Sequence, residues 1–119
     1  MSAAASAADA AAKARQAFGA DYGLTHAIQF YLGECELANH RFIQAQRSFS
    51  LVDATKVAEL TGRPDFAATL AAARAETMLG LGDRAKAGTL LDTAEAAAKA
   101  SEDPELKQRL QRLRAQLRG

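Results

Sequence analysis

Residues 24–61 and 66–103 run in register at a constant spacing of 42. At this offset Leu24 falls on Phe66, Ile28 on Leu70, Gly33 on Ala75, Glu34 on Glu76 and Leu37 on Leu79. Further along, Ala45 falls on Ala87, Phe49 on Leu91 and Val52 on Ala94, with no gap. Self-similarity at a period of roughly 20–50 residues marks an architecture of stacked supersecondary units. Composition decides what each unit is made of. Thirty residues are alanine, Leu, Glu, Lys, Arg and Gln dominate the rest, and Val and Ile together total four. Such residues favour helix, so the chain is expected to be all-α. At 119 residues it makes one domain.

The second unit shows its punctuation most clearly. Gly80 and Gly82 let the chain reverse at little steric cost. Asp83 can accept from the free amides that open the next helix. Ala87, Leu90, Leu91, Ala94, Ala97 and Ala98 then fall at the three-four spacing of one buried stripe. Asp103-Pro104 caps and starts a further helix, because proline is tolerated in a first turn but not inside.

The same signals predict about six helices, over 2–18, 24–38, 41–60, 65–79, 84–100 and 104–117. Ser2 or Ser6 is the candidate cap of the first, Gly19 closes it, and 19–23 is a short break. In the second, Leu24, Ala27, Ile28, Tyr31, Leu32 and Cys35 form the expected inward stripe, with Thr25 as a possible cap. Asn39-His40 makes the next turn, and Thr61–Asp65 is the strongest breaker. The last helix repeats Leu106, Leu110, Leu113 and Leu117, and carries Lys107, Arg109, Arg112, Arg114 and Arg118.

The turn followed by small, large, small residues (Ala87, Leu91, Ala94) and then Pro104, with Ala75 and Met78 as partners on the preceding helix, resembles the tetratricopeptide repeat. The usual period of that family is about 34 residues, so the 42 here is similar to its longer, kinesin light chain-like variety. The resemblance covers residues 24–104. It implies a right-handed stack of antiparallel helix hairpins, an α-solenoid, with 1–19 as an N-terminal helix, 24–61 and 66–103 as two repeats, and 104–119 as the capping helix such stacks need. Two repeats are fewer than such folds usually have. The terminal helices suffice as caps, an open end pairs with another subunit, or the chain is a segment of a longer scaffold.

In such stacks the first helix of each repeat lines a concave wall. The resemblance therefore implies a partner-binding groove of Ala27, Phe30, Glu34, Leu37 and Ala38 from one repeat and Thr69, Ala72, Glu76 and Leu79 from the other. Phe30 lies off the expected stripe, which marks it either as a contact residue or as one packed by the first helix. The function implied is a protein-protein interaction scaffold or adaptor that holds a peptide or helix in the groove. The alternatives are a self-associating homo-oligomer and a regulatory α-bundle that binds a small ligand.

Chemistry-bearing patterns are sparse. His26 and Cys35 are nine apart and Cys35 and His40 straddle a turn, so no metal is expected, and His26 is expected at the surface. Glu34 and Glu36, two apart, do not share a helix face. Gly80-Leu81-Gly82-Asp83 lacks the lysine and preceding strand of a phosphate loop. Neither an enzyme nor a cofactor is expected. The net charge of +1 gives no overall pull toward nucleic acid or membrane, and no apolar run reaches the length of a span. The signs are nonetheless segregated: 64–103 holds seven acids and four bases, and 104–119 one acid and five bases. A polypeptide partner, or the chain itself, is expected rather than nucleic acid. A single cysteine and an N-terminal stretch without a signal-peptide core fit a cytoplasmic location.

Overall fold

The computed structural model describes residues 3–19 and 22–119. They form seven α-helices and no strand among the described residues: α1 Ala3–Phe18, α2 Gly23–Ala38, α3 Phe42–Ser50, α4 Ala54–Thr61, α5 Phe66–Gly80, α6 Arg84–Ala97 and α7 Pro104–Arg118. The body measures 43 × 30 × 21 Å, and its thinnest dimension is about two helix diameters. No described helix is long and apolar enough to cross a membrane. Ser2 and positions 20–21 of the 19–23 break lie outside the described residues.

Local chemistry explains most boundaries. Asp53, Asp83 and Asp103 each accept backbone N–H groups that open α4, α6 and α7, and Pro104 stands in the first turn of α7. Gly19, with φ 88°, ends α1 and donates to Arg15 O at 3.0 Å. The two hairpin turns are copies at the 42-residue offset. Arg41 N donates to Glu36 O at 2.8 Å and His40 N to Leu37 O at 3.0 Å. Asp83 N donates to Met78 O at 2.9 Å and Gly82 N to Leu79 O at 3.1 Å. Such paired bonds satisfy the last carbonyls of a helix and need a left-handed residue. That residue is His40 (φ 58°) in one turn and Gly82 (φ 80°) in the other. The His40 ring stacks on Phe42, with centroids 5.5 Å apart.

The expected helix over 41–60 is instead two helices. α3 ends at Ser50, and α4 begins after Asp53. The reason is non-local: Asp53 N donates to His26 Nδ1 at 3.0 Å rather than to its own helix. His26 is therefore buried (8% exposed) and not a surface residue. His26 Nδ1 also lies 3.1 Å from Leu51 O, and the other ring nitrogen is Nε2. That atom is buried and has no hydrogen-bond partner among the described residues. α6 also stops at Ala97, short of the expected 100.

α2 is rotated relative to the expected stripe. Tyr31 is 56% exposed and Leu24 is exposed, whereas Thr25, His26, Gln29, Gly33 and Leu37 are buried. The buried polar groups are matched: Thr25 Oγ1 donates to Gly19 O at 2.9 Å rather than capping α2, and Gln29 Oε1 accepts from Arg15 at 3.0 Å. Gly33 settles the orientation, since a Cβ there would come within 2.5 Å of the Phe49 ring. Phe30 is half-buried, packed on the core: its ring lies 5.6 Å from Phe49 and 4.9 Å from Phe66.

α5 stands at the centre. It packs against α2, α3, α4, α6 and α7. Its buried Ala68, Ala71, Ala72, Ala73 and Ala75 let neighbours approach from several sides. Two apolar clusters result. Phe49, Val57, Phe66 and Leu70 anchor one, and Leu91, Leu106, Leu110 and Leu113 anchor the other against the α5 alanines. α1 closes the far side of α2 with Ala7, Ala11 and Ala14.

Candidate functional site

α7 lays its leucine stripe on α5 and α6, burying Leu106, Leu110 and Leu113 and half-burying Leu117. Its basic side chains then reach acids on three other helices. Arg109 Nη1 and Nη2 donate to both carboxylate oxygens of Glu34 on α2, at 3.0 and 2.9 Å, and Nε donates to Glu76 on α5 at 3.2 Å. Arg112 donates to Glu76 at 2.8 Å. Arg114 engages Glu95 and, at 2.7 Å, Asp92 on α6.

Arg109 is 18% exposed, its acids 33% and 28%. Burial lowers the Arg109 pKa, but hydrogen bonding and the charge of Glu34, followed by Glu76, outweigh it, and the net shift is upward. Hydrogen bonds to Glu95 and Asp92 likewise raise Arg114. The guanidinium plane of Arg109 thus acts as a permanent cationic strut with bidentate geometry toward α2.

Among the described residues α2 and α7 do not pack on each other, and Arg109 spans the cleft between them above α5. Two recesses along this cleft are lined by residues of both α2 and α5. The smaller, about 190 Å³, is lined by Glu34, Arg63, Thr69, Asp103, Glu105, Leu106 and Arg109. The Oγ1 of Thr69 is buried there without a hydrogen-bond partner among the described residues. The larger, about 340 Å³, is lined by Leu37, Ala38, His40, Phe42, Glu76, Leu79, Gly80 and Gln116. Phe42 can lie flat against α5 because Gly80 has no Cβ for the ring to meet.

The expected groove residues thus divide. Glu34 and Thr69 line the smaller recess, and Leu37, Ala38, Glu76 and Leu79 the larger. Ala72 is fully buried within the cluster that α7 completes. Ala27 and Phe30 pack on the other cluster. The sequence points Glu34 and Glu76 toward a basic partner such as the last helix of a neighbouring copy, and the structure supplies Arg109 of the same chain. The signal is in the spacing: Glu34 and Glu76 recur 42 apart while bases concentrate in 104–119. No group of three or more His, Cys, Asp or Glu that could hold a metal ion occurs among the described residues. No family model, curated protein or solved structure matches the chain.

Proposed function

We propose that the chain is a tetratricopeptide-like, non-catalytic interaction module. The α2/α3 and α5/α6 hairpins, with α7 as cap, form a right-handed stack whose cleft between α2, α5 and α7 holds a peptide or helix of another protein. The observation that carries this reading is the cleft itself: equivalent acids on α2 and α5, joined by one arginine from α7, with an apolar-floored recess alongside. The matched hairpin turns support the stack. The pairing of both acids with guanidinium groups suits recognition by charge more than proton transfer. A basic segment can compete for Glu34 and Glu76 while an apolar side chain enters between Leu37 and Leu79. A cytoplasmic setting belongs to the same proposal, supported by the free thiol of Cys35.

Ala38 is exposed and lines the larger recess, so Ala38→Arg blocks it without touching the core. Wild type and Ala38→Arg should show the same thermal midpoint, and the proteins captured from a native extract by the wild type should be lost with the variant. Identical captured sets would overturn the cleft as the binding surface.

A further inference from the structure

α7 differs in charge from everything it rests on. Residues 104–119 carry five bases and one acid, and residues 1–103 carry ten bases and thirteen acids. The acids that hold it, Glu34, Glu76, Asp92 and Glu95, all belong to the body. Its apolar contacts are also with the body, on α5 and α6. Covalent continuity is limited to residues 98–103, the six residues between α6 and α7. They turn back through Ser101 N donating to Ala98 O at 2.9 Å. Both ends of this hinge are tied to the body, by Ser101 Oγ donating to Asp65 at 2.5 Å and by Arg63 donating at 2.9 Å to Asp103, the cap of α7. α7 is therefore a complete ligand, with a leucine stripe and a bidentate cation, joined by a short hinge to its own complete seat.

We propose that α7 exchanges between two copies of this chain, each copy's α7 resting on the other's α5–α6 face with its Arg109 bridging the other's Glu34 and Glu76. This rests on the same Glu34–Glu76 pair as the reading of the cleft, and makes a second copy of this chain the source of the cleft's α7 wall. Every contact of the seat is remade in the exchanged pair, so only the hinge distinguishes the two forms, which is the condition under which swapping costs least. Opposite charges on body and helix steer the encounter. The hinge gives the intramolecular helix an effective concentration of about 1 mM, so the single chain prevails when dilute. The exchanged pair gains as chains are concentrated or the intramolecular contact is loosened.

The test uses two full-length variants. Glu34→Arg with Glu76→Arg reverses the seat, and Arg109→Glu with Arg112→Glu reverses the helix. Each alone sets like charges against each other. Mixed, they match only when each helix sits on the other chain. Brief warming and cooling of an equimolar mixture should give a one-to-one species of twice the 12.6 kDa chain mass, with a thermal midpoint above that of either variant. A chain with all four substitutions re-pairs within itself and should match wild type in mass and circular dichroism, which separates misfolding from failure to exchange. A mixture that remains the sum of its parts overturns the proposal, as does wild-type chain that stays single in sedimentation above about 1 mM. A labelled 104–119 peptide that binds the helix-reversed chain while no mixed pair forms also overturns it, and reassigns the seat to a helix from a different protein. Failure here leaves the Ala38→Arg comparison, and with it the broader reading of the cleft, untouched.

Discussion

The hairpins α2/α3 and α5/α6 have the same turn and matching buried positions, yet they solve the same packing problem with different residues. In the first, Gly33 faces Phe49; in the second the equivalent positions are Ala75 and Leu91. A missing methyl on one helix is balanced by a larger side chain on the other, so interior volume is kept while its distribution changes. The larger divergence is His26 against Ala68. The imidazole takes the amide of Asp53 and stops the first hairpin's second helix, whereas beside the fully buried Ala68 the second hairpin's α6 continues unbroken to Ala97. The surfaces differ too. In the α7-covered hairpin only Leu81, in the turn, is an exposed large apolar residue, while Tyr22, Leu24, Tyr31, Ile43, Leu51 and Leu60 are exposed in the first half, among the described residues. A repeat fixes where buried positions fall, and individual side chains decide what each position does.

The largest expected effect breaks the cores one at a time. Phe49→Ala should destabilise by about 3–5 kcal/mol and Leu91→Ala by about 2–5 kcal/mol. Phe49 should be the costlier, because its ring also meets Phe30 and covers Gly33. Urea melts rank them, and a reversed order would mean that Phe49 is not the first hairpin's anchor.

Gly33→Ala sharpens the comparison of volumes. Overpacking should cost about 1–3 kcal/mol, against a helix-propensity gain of about 1 kcal/mol. Adding Phe49→Leu recreates the pair of the second hairpin and should recover part of the loss, a coupling of at least about 0.5 kcal/mol. Strict additivity in the double-mutant cycle would sink the idea of a shared space.

His26→Ala should cost about 1 kcal/mol by leaving a part-buried amide without its side-chain partner, and hydrogen exchange should quicken at the Asp53 amide while Thr77 stays protected. Unchanged protection at Asp53 would assign the helix break to the Asp53 cap alone.

An effect of similar size concerns the strut that joins the hairpins. Arg109→Gln should cost about 1–2 kcal/mol, toward the low end of charged hydrogen bonds because the group is partly exposed. Glu34→Gln should cost more than Glu76→Gln, since Glu34 takes the two parallel bonds. Equal thermal shifts for the two glutamates would indicate that the bidentate geometry does not persist in solution.

Several features of the fold and cleft were legible in the residues, and the misses share a cause. The inward faces of α5 and α7 follow from apolar spacing alone, as Phe66, Leu70, Ala73 and Met78, and Leu106, Leu110 and Leu113, show. α2 did not follow from that spacing, because Thr25, His26 and Gln29 are buried with polar partners on α1 and on the α3–α4 link. Counting apolar residues assigned its inward face to Tyr31 and left Phe30 outside. In the cleft, the acids and much of the lining were legible, but the strut's origin in the same chain was not.

The sequence by itself determined what depends on neighbours within a turn or two: helical composition, aspartate caps, the turns at His40 and Gly82, the proline start of α7 and the 42-residue period. Such bonds close between residues two to five apart, so their donors and acceptors can be read along the chain. Tertiary structure alone decided the rotation of α2, the break before Asp53 and the joining of Glu34, Glu76 and Arg109, residues separated by up to 75 positions. Those outcomes depend on which surfaces meet. A buried polar group must find its partner wherever the packing places one, and the spacing along the chain does not carry that information.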